Sequence, residues 1–391
     1  MSRVLLVVQR YGLDVVGGAE QHARLAARRL ARRHHVEIAT TTALDYWTWD
    51  PHYAAGIDTV DGLTVHRFGV LEPRDPAFKD FERHVLLEEH ALGDELAWPR
   101  VQGPHCPGLL DFLHERGRSY DAVIFYTYIY APTVLGLPLV PERAALVSTA
   151  HDELPLRLAP YRALFHLPRV IGYLTPEERS MVHARFHNEQ VPDEVIGYAL
   201  DPVPPADVGS FRERFGIDGP YILYLGQVTE AKGCDELLAA WTAYRETAGA
   251  APLTLVLAGT VRMPIPERDD VRAIGRIDDA EKAAALAGAE VLVQPSRLES
   301  LGIVLFEAWQ HGTPVLVQAA CQVTSGQTAR SAGGLAYDET SFARSLAAVR
   351  ADRAGFGERG RAFVDRECSF EAFDERLERL VETAAAGAAR G

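Results

Sequence analysis

Glu299 and Glu307 stand eight positions apart across a predicted loop-to-helix junction, and their carboxylates can accept hydrogen bonds from hydroxyl groups. Apolar, strand-like segments flank the junction, which predicts a βαβ unit. In open α/β sheets, ligands bind beyond the carboxyl ends of the strands. The N–H groups of Leu301, Gly302 and Ile303 would begin the helix, where the backbone favours anions. The segment therefore predicts a site for a ligand with hydroxyl groups at both ends and phosphate between them.

A second loop offers a cation for the same ligand. Gly226, Gln227 and Lys232 directly follow the apolar segment 221–225. The ammonium group of a lysine in such a loop can contact a phosphate, and the alternative is an exposed lysine beside a glycine turn. The loop lacks the spacing of a P-loop. Together with the two glutamates, it indicates a nucleotide sugar as the ligand.

The first half of the chain contributes further candidates. Gly17 and Gly18 stand where the first predicted helix begins, and glycine there lets a ligand approach free N–H groups. They lack the G-x-G-x-x-G spacing, so no bound dinucleotide is predicted, and a turn made for packing is the alternative. His151 follows a predicted strand at 145–150. Its neutral imidazole would either hydrogen-bond a sugar hydroxyl or have a purely structural role.

Length and charge limit the class of protein. A chain of 391 residues is expected to form two domains. Its net charge of −14 argues against a nucleic-acid-binding protein, which would carry a basic excess. The basic run 24–33 lies on a predicted amphipathic helix, and it forms either a solvated face or a peripheral membrane contact. No two aspartates have D-x-D spacing, so neither a metal ion nor another cofactor is expected.

The apolar segments and the cysteines of the sequence predict the cellular compartment. The N-terminal apolar run is short and indicates a buried strand rather than a signal peptide. No apolar window approaches the length of a transmembrane helix. Four cysteines are scattered without paired spacing, which is typical of free thiols in a reducing environment. We therefore expect a cytoplasmic protein.

Apolar segments alternate with helical patterns in both halves, which predicts α/β domains with doubly wound parallel sheets. The first domain is predicted at 1–200, with an aromatic-rich insertion at about 44–108. The proline-rich stretch 201–206 opens a second domain at 201–368. A final amphipathic helix is predicted within 369–391.

Together these motifs resemble glycosyltransferase family 4, the retaining enzymes of the GT-B fold. The resemblance covers most of the chain and is strongest to a bacterial group linked to polysaccharide or secondary-metabolite glycosylation. It implies two Rossmann-like domains facing across a cleft, with a C-terminal helix crossing back to the first domain. The residues that carry it are Gly17-Gly18-Ala19-Glu20, His151-Asp152, residues 226–233, Gly259, Gly275, Pro295-Ser296, the two glutamates and Gly312-Thr313-Pro314.

The resemblance also implies roles for these residues. Glu299 would contact the donor sugar, and Glu307 would bind the ribose. Lys232 and the N–H groups of residues 301–303 would hold the diphosphate, while backbone near Arg276 would meet the base. The implied catalytic residues are His151, Glu299 and Lys232; the implied donor-binding residues are Gly17, Gly18, Gln227, Lys232, Gly259, Arg276, Ile277, Glu299, Leu301, Gly302, Ile303 and Glu307.

The implied reaction is metal-independent transfer of a sugar, with retention, from a UDP-, GDP-, ADP- or dTDP-linked donor. The acceptor would be a hydroxyl group of a glycan, a glycolipid or a small metabolite. The alternatives are a sugar-nucleotide epimerase or a phosphorylase of the same fold, and a non-catalytic nucleotide-sugar-binding accessory protein.

One residue departs from the family. Gln227 stands where the family usually has an arginine that pairs with the donor phosphates. The change removes a charge-assisted contact of about 1.5–3 kcal/mol. Either Arg10, Arg262 or another cation takes its place, or the donor is held differently.

Overall fold

The structure, a computed structural model, describes residues 1–247 and 251–388. Internal contacts divide the chain into unit 1, Met1–Tyr198 with Glu371–Gly391, and unit 2, Ala199–Phe370. The first boundary lies between Tyr198 and Ala199, next to the proline-rich stretch. The last residues of the predicted 369–391 helix lie outside the described residues.

Unit 1 is built on one twisted sheet with the strand order β3-β4-β2-β1-β5-β6-β7-β8. Strand β3 is antiparallel to β4, and the other neighbours are parallel. The strands are β1 (Arg3–Val7), β2 (His35–Thr41), β3 (Gly56–Val60), β4 (Leu63–Phe68), β5 (Ala122–Tyr126), β6 (Ala144–Val147), β7 (Val170–Tyr173) and β8 (Asp193–Val195). The helices that connect them are α1 (Gly18–Leu30), α2 (Phe78–Leu87), α3 (Leu92–Gln102), α4 (Pro107–Arg116), α5 (Ala131–Gly136), α6 (Ala159–Leu164) and α7 (Pro176–Phe186).

The central strands of unit 1 are apolar along their whole length because both faces of the sheet are covered. Every residue of β5 and β6 is buried. A parallel sheet with helices on its faces requires such continuous apolar strands. The prediction of a doubly wound α/β domain is confirmed.

The predicted insertion at 44–108 is partly a continuation of the sheet. Strands β3 and β4 form a hairpin that turns at Asp61 and Gly62, and β4 pairs in parallel with β2. Helices α2 and α3 follow. Trp98 is fully buried against Phe78, so this aromatic residue builds the core rather than a surface for sugar stacking.

Two arginines of the basic run 24–33 are closely paired with carboxylates. Arg24 donates two hydrogen bonds to Asp61, at 2.6 and 2.9 Å. Arg29 donates two to Asp374, at 2.7 and 2.5 Å. These pairs offset two of the positive charges of the run, whereas the side chains of Arg28 and Arg32 are exposed.

Helix α15 (Phe370–Ala388) packs against unit 1, as the predicted return of the C-terminal helix requires. Its buried side includes Phe373, Leu377 and Leu380. Phe373 meets the ring of His22 edge-on, with 5.5 Å between the ring centroids. Apolar burial on one side and ion pairs on the other fix this helix on α1.

Unit 2 is a parallel sheet with the strand order β11-β10-β9-β12-β13-β14. Its strands are β9 (Tyr221–Leu225), β10 (Thr254–Ala258), β11 (Val271–Gly275), β12 (Val291–Gln294), β13 (Val315–Gln318) and β14 (Gly334–Tyr337). Its helices are α8 (Val208–Phe215), α9 (Cys234–Glu246), α10 (Asp279–Gly288), α11 (Ile303–Gln310), α12 (Gln322–Ser331), α13 (Phe342–Ala351) and α14 (Arg353–Glu367). The predicted Rossmann-like second domain is confirmed. Across both units, no helix among the described residues combines the length and apolarity needed to cross a membrane.

Candidate active site

The predicted donor residues of unit 2 cluster because of the strand order. The chain runs from β9 through β10 to β11 at one edge, then returns to place β12 on the other side of β9. This reversal is a topological switch point, where open α/β sheets bind ligands. The loop with Lys232 follows β9 and the loop with Glu299 follows β12. The two loops therefore flank the switch point.

The two loops are in direct contact. Gly233 has a φ of 72° and ends the short helical turn that contains Lys232. A Cβ at Gly233 would lie 2.5 Å from the carbonyl oxygen of Pro295, which belongs to the Glu299 loop. Glycine is therefore required both for the backbone angle and for the close approach.

Lys232 and Glu299 form an ion pair across the switch point. The Nζ atom of Lys232 donates to Oε1 of Glu299 over 2.8 Å. The Glu299 side chain is 15% exposed and that of Lys232 40%. The hydroxyl group of Thr229 accepts from the N–H of Lys232 and fixes the turn. A phosphate at this point would compete with Glu299 for the ammonium group.

The start of α11 presents backbone donors beside this ion pair. Gly302 caps the helix with a φ of 69°. Within residues 1–247 and 251–388, the N–H groups of Leu301, Gly302 and Ile303 donate no hydrogen bond to the protein. Such groups at a helix start attract anions. Gln327 holds the loop from behind, because its Nε2 donates to the carbonyl oxygen of Leu301 over 2.8 Å.

Glu307 has a partner that sequence patterns do not indicate. Lys282, in the first turn of α10, donates from Nζ to Oε1 of Glu307 over 2.8 Å. Burial by itself would lower the pKa of Lys282, but the carboxylates of Glu307 and Asp279 raise it overall. The ammonium group therefore stays charged and orients Glu307. The only sequence signal is a charged residue in an alanine-rich helix.

Three glycines lie at the carboxyl ends of neighbouring strands of unit 2. Gly226 and Gly259 directly follow β9 and β10, Gly275 is the last residue of β11, and each has a positive φ. The N–H of Gly259 donates to the carbonyl oxygen of Gly275 over 2.7 Å. A Cβ at Gly259 would overlap the carbonyl oxygen of Gly226. Arg276, with an exposed side chain, and the half-buried Ile277 follow directly.

The structure distinguishes between the two cations considered as replacements at Gln227. Arg10 is 4% exposed in unit 1, and it is paired with Glu20 over 2.5 Å and bonded to the carbonyl oxygen of Leu44. Arg262 belongs to unit 2. Its N–H donates to the carbonyl oxygen of Val228 over 3.0 Å.

The side chain of Arg262 is exposed, as is that of Gln227, and forms no ion pair with any residue in 1–247 or 251–388. Of the two cations, Arg262 is the one next to the Gln227 loop within the same unit.

The predicted residues of unit 1 form a separate group. The space beside Gly17 is filled by the Arg10–Glu20 pair, since an added Cβ would overlap the Glu20 carboxylate. Gly17 thus serves local packing, while Gly18 is exposed at the start of α1. His151 has Nε2 at 3.4 Å from Oε2 of Glu153. Its Nδ1 is buried and finds no hydrogen-bond partner within the described residues.

Glu178 anchors the segment that leads to His151. This carboxylate is 1% exposed and accepts hydrogen bonds from the hydroxyl of Ser148 and the N–H groups of Ala150 and Leu174, each at 2.6 Å. Burial raises the pKa of Glu178 to about 7, against the opposing effect of these donors. Sequence patterns gave no sign of Glu178, because two of its partners, Ser148 and Ala150, lie 30 and 28 positions away in the chain.

Comparison with known proteins agrees with this geometry. Residues 219–352 match the family described as Glycosyl transferases group 1. A GDP-mannose-dependent monoacylated alpha-(1-6)-phosphatidylinositol monomannoside mannosyltransferase of Corynebacterium glutamicum is 27% identical over 50% of this chain and 56% of that protein. The match thus spans about half the length of this relative. A glycogen synthase of Mycobacterium tuberculosis is 29% identical over 93% of this chain and 90% of its own.

A solved structure extends the likeness to the whole fold. Sucrose-phosphate synthase from Thermosynechococcus elongatus superimposes with a TM-score of 0.71, at 17% identity, over 99% of this chain and 100% of that one. At this identity the likeness establishes the fold. Residues 219–352 are thus similar to the group 1 glycosyl transferases, and the chain has the GT-B fold.

Proposed function

We propose that the protein is a retaining, metal-independent glycosyltransferase of family 4 that moves a sugar from a nucleotide-diphosphate donor to a hydroxyl acceptor. The observation that carries the proposal is the Lys232–Glu299 ion pair beside the N–H groups at the start of α11, which have no hydrogen-bond partner among the described residues. A cation and aligned backbone donors suit a diphosphate, and a carboxylate next to them suits sugar hydroxyl groups.

The two ion pairs set the orientation of the donor. The diphosphate would bind Lys232 and the N–H groups of residues 301–303, which releases Glu299 to accept hydrogen bonds from the sugar. Glu307, held by Lys282, would accept from the ribose hydroxyls. The base would then lie against the backbone at Arg276 and Ile277.

Charge stabilisation of the leaving diphosphate would come from the protein itself. Lys232 would supply one positive charge. Arg262 would supply the second, in the role of the arginine that the family usually has at the position of Gln227. Preorganised donors and cations stabilise developing charge without reorganisation. This arrangement supports a reaction that needs no divalent ion.

His151 would hydrogen-bond the donor sugar near the reacting carbon. Its buried, unpartnered Nδ1 supports a polar ligand at this side chain. Gly18 would contribute backbone N–H groups from the start of α1. The hydroxyl acceptor is proposed as a glycan, a glycolipid or a small metabolite, and the compartment as the cytoplasm.

A thermal-shift series with UDP, GDP, ADP and dTDP tests the donor site. At least one nucleotide should raise the melting temperature of the wild type, and Glu307→Ala should abolish that shift. Glu358→Ala, an exposed change on α14 in the same unit, is the matched control and should retain it. Absence of a shift with all four nucleotides would contradict the proposal.

The second candidate function is a non-catalytic accessory protein, and the presence of Gln227 instead of an arginine favours it. A turnover assay distinguishes it from the transferase. The nucleotide that binds identifies the sugar nucleotide to incubate with an acceptor panel, with and without EDTA. We expect release of the nucleotide diphosphate and a product of unchanged anomeric configuration, measured by NMR, in both conditions. Binding without turnover would support the accessory protein, and loss of turnover in EDTA would refute metal independence.

A further inference from the structure

Unit 1 contains a basic pocket whose residues have no role in the proposed transfer. The cavity has a volume of about 520 Å³ and is lined by Leu156, Arg157, Arg162, His166, Arg185 and Phe186. Its volume lies within the range of small-molecule sites, roughly 300–1,000 Å³. A positive cavity is unexpected in a chain with a net charge of −14. Three arginines line it: Arg157 and Arg162 come from one segment at α6, and Arg185 comes from α7.

Two of these guanidinium groups are free to bind a ligand. Arg157 and Arg162 are exposed, and neither forms an ion pair with any residue in 1–247 or 251–388. Arg185 donates from Nη2 to Oδ1 of Asp152 over 3.1 Å, and its Nε is buried without a hydrogen-bond partner among the described residues. Asp152 therefore pairs with one of the three cations, and the mutual repulsion of the guanidinium groups favours a bound anion.

The remaining lining residues define the shape of the pocket rather than its charge. His166 donates from Nε2 to the carbonyl oxygen of Phe186 over 3.0 Å, so its Nδ1 accepts from Gln190 over 2.8 Å. Both ring nitrogens of His166 are therefore engaged within the protein. Leu156 and Phe186 are buried and form an apolar floor. The pocket thus combines a charged rim with an apolar base.

We infer that this pocket is a binding site for a phosphate-bearing ligand. Guanidinium groups match the geometry of phosphate oxygens and bind them through paired hydrogen bonds. The cavity is larger than a phosphate ion, which leaves room for an attached group against Leu156 and Phe186. A soluble phosphomonoester and the headgroup of an anionic lipid share this chemistry.

The pocket is connected through one short segment to His151, the predicted catalytic residue of unit 1. Asp152, which pairs with Arg185, is the neighbour of His151 in the chain. A ligand phosphate that draws Arg185 away from Asp152 would act on the segment that carries His151. The site itself stands independently of the proposed transfer reaction.

Titration calorimetry with inorganic phosphate and with glucose 6-phosphate tests the soluble source. Both titrations use a Lys232→Ala protein, so that the phosphate site proposed in unit 2 does not contribute. Adding Arg157→Gln and Arg162→Gln should weaken binding by at least about tenfold, the effect of losing charge-assisted hydrogen bonds. The matched control adds Arg32→Gln and Arg344→Gln, which remove two exposed charges elsewhere, and should bind as before.

Co-sedimentation with vesicles tests the lipid source. Phosphatidylcholine vesicles with and without phosphatidylglycerol are compared for the same three proteins. Binding that requires phosphatidylglycerol and disappears only in the Arg157/Arg162 variant would assign the pocket to a lipid headgroup. The inference is overturned if neither soluble phosphate nor anionic vesicles bind, or if the pocket variant and the control behave alike. Thermal melting of both variants confirms that these exposed substitutions leave the fold intact.

Discussion

Lys282 and Glu307 are 25 positions apart in the chain, yet 2.8 Å separate Nζ of the lysine from Oε1 of the glutamate. The contact joins the first turn of α10 to the second turn of α11. It gives the carboxylate a fixed direction, and the lysine side chain is still 32% exposed. The pair is therefore positioned for ligand binding and contributes little to stability, since ion pairs near solvent are worth about 0–1 kcal/mol.

Lys282→Met should weaken nucleotide binding without unfolding the protein. We expect the Kd of the preferred nucleotide to rise about fivefold, as loss of an ion pair of about 1 kcal/mol implies. Calorimetry measures the change. In the double variant with Glu307→Gln, the two effects should be less than additive, because both act through one carboxylate. Fully additive effects would show that Lys282 does not act through Glu307.

Gln227→Arg should strengthen donor binding if the phosphates lie at the switch point. A restored guanidinium would add a charge-assisted contact, and the Kd of the nucleotide diphosphate should fall about tenfold. Arg262→Gln should have the opposite effect. Glu213→Gln, an exposed change on α8, raises the net charge equally and serves as control. An unchanged Kd in Gln227→Arg would place the phosphates elsewhere.

Gly259→Ala should destabilise unit 2. Its φ of 139° is rarely adopted by other residues, and the added Cβ would overlap the carbonyl oxygen of Gly226. We expect a loss of about 1–3 kcal/mol in the free energy of unfolding, as for strained or overpacked positions. Urea denaturation gives the value. Gly219→Ala, where nothing lies within 4 Å, should be close to neutral. Equal stability of the two variants would refute the close approach.

Glu178 should make the stability of the wild type depend on pH. Burial raises the pKa of this carboxyl from 4.5 to about 7 in the folded protein. The unfolded chain therefore releases its proton first as the pH rises. Stability from the protonated form is fully present below pH 4.5 and is lost as the pH rises through 7.

Comparison with Glu178→Gln isolates this effect. The free energy of unfolding of the wild type, relative to the variant, should fall by about 3 kcal/mol between pH 4.5 and 7. Urea denaturation at a series of pH values measures both proteins, and other titrating groups cancel in the difference. Parallel pH profiles would show that the carboxyl titrates near its ordinary pKa.

Local sequence patterns predicted most of the secondary structure. The start of helix α7 (Pro176–Phe186) is marked by a local pattern, a capping threonine followed by a proline. Strand β9 likewise matches the apolar segment Tyr221–Leu225. The aromatic-rich region was harder, because β3 is exposed and lacks the apolar run that marks a central strand.

The sequence by itself determined the α/β class, the alternation of strands and helices, and the positions of Glu299, Glu307 and Lys232 after strands. These features depend on residues near each other in the chain. Only the tertiary structure decided that the Lys232 and Glu299 loops flank one switch point, that Lys282 orients Glu307, and that Arg262 rather than Arg10 lies beside the Gln227 loop. The physical reason is strand order. Strand β12 pairs with β9 on the side opposite β10 and β11, and no local sequence pattern encodes this pairing. The basic pocket has the same origin, because its arginines come from two segments, at α6 and α7, that only the folded chain brings together.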